Sequence, residues 1–325
     1  MRVEIKDVPR EYISGIEIIS EQNQIIIVSY DGTLSVYTVD RELKQVNLTV
    51  RLQYESSLTS VAQLNIQGRQ FIYAGSVDGQ LLSVDLENSL FVKVDQIESS
   101  AGISCIAMHG DRVIAGSWDG SIYVVNPYSN SLEFTLELPS EYKKCFKLSV
   151  QAHRLLISTI KCKIAILKLP LTPTTKPHIL DSGQIFQIRD SQLTPEGDGF
   201  VCTGIDGRVS VEYFDDTSKR FAFRCHKYDL DDTVMTYPIN AIRFIPNTSE
   251  FYTGGSDGCV SAWHLHKKTK IKQLPKYNEN SVVQLACNEN ILCVATSDDS
   301  FKTNAVIDSN LELEPSRIYV EILTN

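Results

Sequence analysis

Residues 116–126 read GSWDGSIYVVN: a small residue, a variable residue, an Asp-Gly dipeptide and then alternating apolar positions. Asp-Gly between two such runs is a strong hairpin signal, because glycine tolerates the positive φ that tight turns need. The same template returns at SYDGTLSVY (29–37), GSVDGQLLSVD (75–85), GIDGRVSVEY (204–213) and GSDGCVSAW (255–263). One hairpin unit is therefore repeated along the chain.

Two weaker copies, STIKCKIAIL (158–167) and ATSDDSFKT (295–303), complete the series. The Asp of each turn, or its equivalent, falls at 31, 78, 119, 162, 206, 257 and 298, at intervals of 41 to 51 residues. Units of roughly 40–45 residues that are built from short strands are typical of propellers. We therefore predict an all-β fold, a seven-bladed β-propeller that spans residues 1–325 as a single domain.

Both ends of the chain are strand-like, MRVEI (1–5) and SRIYVEIL (316–323). We expect them to share the last blade and close the ring, since closure removes the exposed edges of the sheet. Two segments between repeats are predicted to be loops, the Pro- and Thr-rich residues 169–184 and the acidic residues 303–316.

Composition and motifs narrow the classes of function. A net charge of −9, with 31 basic against 40 acidic residues, argues against a nucleic-acid surface over the whole molecule but allows a local basic patch. The chain shows no secretion signal and no run of about 18 apolar residues, so we expect neither secretion nor a membrane partner. The eight cysteines form no C-x-x-C pair and are predicted to be reduced thiols in the cytosol or nucleus.

No catalytic or metal-binding motif emerges from the sequence. It contains no G-x-S-x-G, P-loop or dinucleotide fingerprint. Cys225 and His226 are neighbours, but adjacent strand residues point to opposite faces and cannot easily bind one ion. We therefore predict no enzymatic activity, no cofactor and no metal.

The Asp-Gly turns should share one face of a propeller, because each joins the second and third strands of its blade. The residue before Asp-Gly is aromatic at Tyr30 and Trp118, and the residue after it is charged at Arg208 alone among the five clear repeats. Exposed aromatic side chains suit a peptide anchor, although packing on neighbouring loops explains them equally well. Trp263 ends its repeat and is predicted to be structural.

A second arginine, Arg224, follows Arg208 after one turn. If residues 215–219 form that turn, Arg208 faces His226 and Arg224 faces Ser210. The two arginines then become diagonal neighbours on one face, roughly 7–8 Å apart at their backbones. Two guanidinium groups at this spacing can bind one phosphate or carboxylate.

Pairing with local acids is the alternative explanation for the two arginines. Three carboxylates lie close enough in the sequence to neutralise them: Asp190, Asp206 and Glu212. The pattern alone leaves this structural reading and the anion-binding reading open.

Several long runs resemble one known family. IDGRVSVEYFDD (205–216), KRFAFRCHKYDL (219–230), YPINAIRF (237–244) and FYTGGSDGCVSAW (251–263) are similar to the yeast form of the third Bub (budding uninhibited by benzimidazole) family, WD40 proteins of the spindle assembly checkpoint. EYISGIEII (11–19) and SWDGSIYVVNP (117–127) are similar too, so the resemblance covers essentially the whole chain.

The resemblance implies a seven-bladed WD40 β-propeller that acts as a non-catalytic kinetochore adaptor. Members of this family hold GLEBS motifs of the Bub checkpoint kinase and of the Mad/BubR-type checkpoint protein. They also read phosphorylated Met-Glu-Leu-Thr repeats of the kinetochore scaffold protein. For this chain the resemblance implies phosphate contacts by Arg208 and Arg224, Arg189 in the same basic cluster, and apolar peptide contacts by Tyr30 and Trp118.

The resemblance also implies a monomeric propeller within hetero-complexes, in the nucleus at kinetochores with a cytoplasmic pool, and no nucleic-acid partner. The alternative is the nuclear-pore mRNA-export WD40 relative, which binds a GLEBS motif and RNA. The isoelectric point near 5.2 weighs against a broad RNA-binding surface.

Overall fold

The computed structural model describes residues 1–302 and 312–323, and in these residues it contains no α-helix. The strands form seven four-stranded antiparallel blades and one separate two-stranded hairpin. They are β1 (Arg2–Glu4); in blade 1, β2 (Ile13–Ile19), β3 (Gln24–Ser29), β4 (Thr33–Asp40) and β5 (Gln45–Gln53); in blade 2, β6 (Leu58–Ile66), β7 (Arg69–Ser76), β8 (Leu81–Asp85) and β9 (Leu90–Lys93); in blade 3, β10 (Ile103–His109), β11 (Arg112–Ser117), β12 (Ser121–Asn126) and β13 (Ser131–Glu137); in blade 4, β14 (Lys147–Gln151), β15 (Arg154–Ser158), β16 (Lys163–Lys168) and β17 (His178–Asp181); in blade 5, β18 (Ile188–Leu193), β19 (Gly199–Gly204), β20 (Arg208–Tyr213) and β21 (Phe221–Arg224); in the hairpin, β22 (Lys227–Leu230) and β23 (Thr233–Thr236); in blade 6, β24 (Ile239–Phe244), β25 (Glu250–Gly255), β26 (Val260–His264) and β27 (Thr269–Gln273); and in blade 7, β28 (Ser281–Cys287), β29 (Ile291–Ser297) and β30 (Arg317–Ile322).

The blades form a closed ring around a central channel. Their first strands contact one another in chain order, and β28 of blade 7 returns to β2 of blade 1. Seven clusters of buried apolar side chains fill the seams between neighbouring blades. Alternating strands bury one face against each neighbour, and this is why the repeated pattern produces a ring. The prediction of a seven-bladed propeller is confirmed.

The two ends of the chain close the ring within blade 7. The N-terminal strand β1 pairs antiparallel with β30, and Val3 lies opposite Val320. Arg2 adds an ion pair across this closure, with 2.8 Å between its Nε and Glu321 Oε1. The predicted pairing of the terminal strands is therefore confirmed.

The Asp-Gly turns join second and third strands, as predicted, and they define what we call the top face. Blade 1 shows how the dipeptide works. Gly32 has a φ of 82°, and Asp31 Oδ1 accepts a hydrogen bond from the backbone N–H of Thr33 at 2.9 Å. Glycine supplies the left-handed conformation and the carboxylate fixes the turn.

Two segments differ from the sequence expectation, and a third lies largely outside the described residues. Residues 169–184 are not entirely loop, because residues 178–181 form β17 and supply the fourth strand that blade 4 needs. The hairpin at residues 227–236, between blades 5 and 6, was not predicted. Of the predicted acidic loop, residues 303–311 lie outside the described residues, and residues 312–316 lead into β30.

All eight cysteines are free thiols. Within the described ranges, no three His, Cys, Asp or Glu side chains come together in a way that could hold a metal ion. No helix in those ranges has the length and apolar character that crossing a membrane requires.

Gly116 is closely packed in the seam between blades 3 and 4. A Cβ there would overlap Cys145 Sγ and lie 3.1 Å from Cys105 Sγ. Overpacking of this kind costs about 1–3 kcal/mol, so Gly116→Ala should lower the Tm by roughly 3 °C in a chain of this length. In a Cys145→Ala background the same change should lower the Tm much less, because the Cys145 sulfur that the new Cβ would overlap is absent. Scanning calorimetry that finds equal losses in both backgrounds would contradict this packing.

Candidate functional site

The two arginines of blade 5 lie directly opposite each other. Arg208 begins β20, Arg224 ends β21, and the two residues are Cα partners in the sheet. The predicted facing of Arg208 with His226 and of Arg224 with Ser210 is wrong, because Ser210 pairs with Ala222. The two guanidinium groups therefore leave one face side by side, closer than the diagonal arrangement that the sequence suggested.

The register differs because the connection between β20 and β21 is longer than a simple turn. Residues 217–219 form a short 3-10 turn, which Asp216 caps by accepting a hydrogen bond from the Ser218 N–H. Val211 and Phe221 form the last strand pair before this turn. The chain then leaves β21 at Cys225 and His226, and His226 has a φ of 52°.

The three acids that were candidates for neutralising these arginines all have partners. Their ion pairs are Asp206–Arg224 at 3.2 Å, Glu212–Arg220 at 2.7 Å and Asp190–Arg243 at 2.8 Å. Arg208 forms no ion pair within the described residues and donates from Nε to the Gly183 carbonyl at 3.1 Å. The charge of Arg224 is thus partly balanced by a carboxylate, whereas the charge of Arg208 has no carboxylate partner within the described residues.

Two exposed apolar side chains follow Gly183, the residue that Arg208 contacts. Ile185 is 67% exposed and Phe186 is 50% exposed. The Phe186 carbonyl accepts a hydrogen bond from Cys162 Sγ at 3.0 Å. The arginine pair and an exposed apolar surface therefore lie next to each other along the connection between blades 4 and 5.

His226 holds the end of β21 through a buried chain of hydrogen bonds. Its Nδ1 lies 2.9 Å from Asp257 Oδ1, and its Nε2 lies 2.9 Å from Thr253 Oγ1. Trp263 Nε1 donates to the same Thr253 oxygen at 3.0 Å. Since a carboxylate only accepts, the His226 Nδ1 carries the hydrogen and donates a hydrogen bond to Asp257. The network gives His226 and Trp263 structural roles and fixes the strand that carries Arg224.

A second group of residues surrounds the top opening of the channel, which we call the mouth. In the described structure, the first strand of six blades has a β-bulge near its top end. A bulge adds one unpaired residue to a strand, and the side chain of that residue can point away from the regular alternation of the strand. Lys147 holds the corresponding place at the start of blade 4. The bulged residues, all of which line the mouth, are Ser14, Thr59, Ser104, Arg189, Asn240 and Val283.

The mouth is a cavity of about 180 Å³ that contains three of the predicted site residues, Tyr30, Trp118 and Arg189. Lys147 and Lys302 also line it. Among the described lining residues, three are cationic and none is acidic. The protein has a net charge of −9, whereas the lining of the mouth is positively charged and can attract an anionic segment.

The predicted basic cluster is divided between these two places. Arg189 lies on the innermost strand of blade 5, whereas Arg208 and Arg224 lie on its third and fourth strands and do not line the mouth. With a strand spacing of about 4.8 Å, the backbone of Arg189 is roughly 10 Å from that of Arg208. The three arginines follow one radius of the blade.

The guanidinium of Arg189 is unsatisfied in the free protein. Its Nε is buried without a hydrogen-bond partner among the described residues. A buried donor that is left unpaired costs free energy, and a ligand that accepts from it recovers this cost. The Arg189 Nε is therefore an unpaired donor in a residue that lines the mouth.

Aromatic rings and Lys302 complete one wall of the mouth. Tyr12 stacks on Tyr30 with 5.0 Å between the ring centroids. Lys302 Nζ donates to the Tyr12 hydroxyl at 2.7 Å and lies 4.4 Å from the centre of its ring. Burial lowers the pKa of Lys302 to about 8; Asp299 opposes this shift, and the positive charge of Arg189 adds to it.

The Lys302 charge predicts a specific pH dependence of stability. Below pH 8 the folded protein keeps a poorly solvated ammonium. Between pH 8 and about 10.5 the unfolded chain binds more protons than the folded one, so this group's contribution to stability rises with pH. The gain in Tm from Lys302→Met should therefore shrink from pH 8 to pH 10 in thermal melts. The exposed Lys272→Met is the control. If the change in Tm caused by each substitution were independent of pH for both variants, the result would contradict a buried charge at Lys302.

Sequence reasoning did not identify Tyr12, Lys147 or Lys302 as part of the site. A signal for the mouth was present, because the residues at 14, 59, 104, 147, 189, 240 and 283 recur with the period of the blades. Bulges cannot be read from an apolar alternation, however, and Lys302 reaches the mouth from the loop after β29.

Comparison with known protein families agrees with the fold. The NUP159/214 beta propeller model matches residues 3–170, which is more than half of the chain, and the WD domain G-beta repeat matches residues 225–264. The solved structure of U3-55K superimposes with a TM-score of 0.80 at 14% identity, over 99% of this chain and 98% of that one. This structural likeness supports the fold alone.

Similarity to curated relatives extends over most of the chain. Mitotic checkpoint protein bub-3 of Caenorhabditis elegans is 29% identical, over 82% of this chain and 78% of the relative. Spindle assembly checkpoint protein bub3 of Schizosaccharomyces pombe is 26% identical, over 85% of each chain, and the Poly(A)+ RNA export protein of that yeast is 24% identical, over 84% and 77%. The chain thus belongs to the β-propeller family of the NUP159/214 model, and over most of its length it is similar to the Bub3 mitotic checkpoint proteins among the WD40 propellers.

Proposed function

We propose that the protein is a non-catalytic adaptor of the spindle assembly checkpoint that binds two kinds of peptide on its top face. One is a phosphorylated Met-Glu-Leu-Thr repeat of the kinetochore scaffold. The other is the GLEBS motif of the Bub checkpoint kinase and of the Mad/BubR-type protein. The corresponding location is the nucleus, at kinetochores, with a cytoplasmic pool.

The observation that carries the proposal is the arginine pair. Arg208 and Arg224 leave one face as direct cross-strand partners; Asp206 forms an ion pair with Arg224, and Arg208 forms none within the described residues. A phosphothreonine adds about −1.5 to −2 charge and three acceptor oxygens, which suit two guanidinium groups. The exposed Ile185 and Phe186 offer an apolar surface next to this receptor for the residues around the phosphothreonine.

The mouth is the proposed binding site of the GLEBS segment. Its cationic lining favours carboxylates, and Tyr30 and Trp118 offer flat apolar contacts on either side. A disordered segment loses conformational entropy when it orders, so its affinity has to come from a long contact surface. A segment that crosses the top face could extend from the mouth along several blades.

The experiment that tests the function is a titration of the wild-type chain with three labelled ligands, followed by fluorescence anisotropy. These are the phosphorylated repeat, its unphosphorylated form and a single-stranded RNA. We expect roughly 10²-fold tighter binding of the phosphopeptide than of the unphosphorylated form, since hydrogen bonds to charged groups contribute about 1.5–3 kcal/mol each.

The second candidate is an mRNA-export role, which similarity to the Schizosaccharomyces pombe export protein favours. It predicts RNA binding whose affinity falls steeply with salt, by a log–log slope of about −0.7 for each neutralised phosphate. Tight, salt-sensitive RNA binding without discrimination between the two peptides would replace the checkpoint proposal.

A further inference from the structure

Two cysteines that are far apart in sequence meet in the seam between blades 3 and 4. Cys105 lies on β10, and Cys145 lies in the connection that leads to β14. Their sulfur atoms are 3.4 Å apart. Ser104 connects them further, because its Oγ lies 3.4 Å from Cys105 Sγ and donates to the Cys145 carbonyl at 2.6 Å.

The close approach of the sulfurs depends on Gly116, whose missing side chain leaves the room they occupy. A disulfide needs about 2.05 Å between the sulfurs. Starting from 3.4 Å, the pair can reach this distance by small side-chain rotations, without separating the blades.

The two thiols differ in their access to solvent. Cys105 lines the central channel, a cavity of about 290 Å³, whereas Cys145 is fully buried behind it. Burial raises the pKa of the Cys105 thiol, but the hydrogen bonds from Cys145 and Ser104 outweigh this and lower it below its usual range. Cys105, the cysteine of the pair that lines the channel, is thus also the one whose thiol has more thiolate character, which is the reactive form.

We propose that Cys105 and Cys145 form a reversible disulfide when the folded protein meets hydrogen peroxide. The Cys105 thiolate attacks one peroxide oxygen and the O–O bond breaks, which leaves a sulfenic acid and a hydroxide that takes up a proton. The Cys145 sulfur then loses its proton and attacks Cys105 sulfur, and the S–O bond breaks with release of water. In sum, two thiols and one peroxide give one disulfide and two waters.

The bond joins blade 3 to the segment that enters blade 4, directly below the mouth. The Cys145 N–H donates to the Ser117 carbonyl at 3.2 Å, one residue before Trp118. Phe146 and Lys147, which follow Cys145, line the mouth. Oxidation therefore fixes the side of the mouth that carries Trp118 and Lys147.

The test treats the full chain with peroxide under native conditions, blocks the remaining thiols and maps tryptic peptides by mass spectrometry. We expect the peptide 94–112, which contains Cys105, to be linked to 145–147, which contains Cys145. The oxidised protein should melt about 5 °C higher than the reduced one, since the bond closes a 40-residue loop, and dithiothreitol should reverse both changes.

Two variants separate the steps. In Cys145→Ser, Cys105 should stop at the sulfenic acid and be trapped by dimedone. Cys162→Ser, which removes a more exposed thiol, should leave the disulfide intact. The proposal is overturned if native wild-type protein shows no link between the two peptides while Cys162 oxidises, or if dimedone labels no Cys105 in Cys145→Ser.

Discussion

Replacing His226 with Ala is expected to lower the Tm by about 5 °C. The change removes two hydrogen bonds of a side chain that is 1% exposed. It leaves the Asp257 carboxylate and the Thr253 hydroxyl short of a partner in the interior. Losses of this kind amount to about 3 kcal/mol or more, and the unfolding entropy of a 325-residue chain converts each kcal/mol into roughly 1.5 °C.

The control for this variant is His266→Ala. His266 is half-exposed and contacts Glu196 at 3.2 Å, so its loss should change the Tm by less than about 1 °C. The His226 variant should also bind the phosphopeptide more weakly, because His226 fixes the strand end that carries Arg224. Equal Tm values for the two variants in scanning calorimetry would show that the buried chain of hydrogen bonds does not stabilise the fold.

Replacing Arg189 with Gln is expected to weaken binding of a GLEBS peptide by roughly 10²-fold while the Tm of the free protein stays the same or rises. In the free protein the Arg189 Nε is buried and unpaired, and the positive charge of Arg189 helps to lower the pKa of Lys302. A carboxylate in the bound segment would satisfy it, at about 1.5–3 kcal/mol for each charged hydrogen bond.

The matched control is Arg41→Gln, an exposed arginine in the turn between β4 and β5 on the opposite face. It should change neither the affinity nor the stability. Calorimetric titration and thermal melts of both variants provide the test. If the Arg189→Gln variant binds the GLEBS peptide as tightly as wild type does, the peptide does not bind at the mouth.

The fold could be predicted almost completely because its information is local and repeated. An Asp-Gly turn needs only a few residues to be recognised, and the copies fix the number of blades by their spacing. Strand β17 was missed because His178–Asp181 carry little alternation and follow a Pro-rich stretch. Its presence follows from the fourth place in blade 4, which is a tertiary requirement.

The candidate site was only partly predictable. Arg208 and Tyr30 occupy comparable slots next to Asp-Gly turns, so their face could be inferred. The pairing of Arg208 with Arg224 depends on the length of the 214–220 connection, which a capped 3-10 turn sets. The contact of Cys105 with Cys145 depends on the packing of two blades, and no local pattern encodes it.

Phosphate recognition by the arginine pair can be tested in one calorimetric cycle. Wild type and Arg208→Ala are each titrated with the Met-Glu-Leu-Thr peptide in its phosphorylated and unphosphorylated forms. Wild type should prefer the phosphopeptide by about 10²-fold, the variant should lose at least tenfold of this preference, and both should bind the unphosphorylated peptide alike. A variant that keeps the full preference, or a wild type that shows none, would contradict the assignment of phosphate recognition to the arginine pair of blade 5.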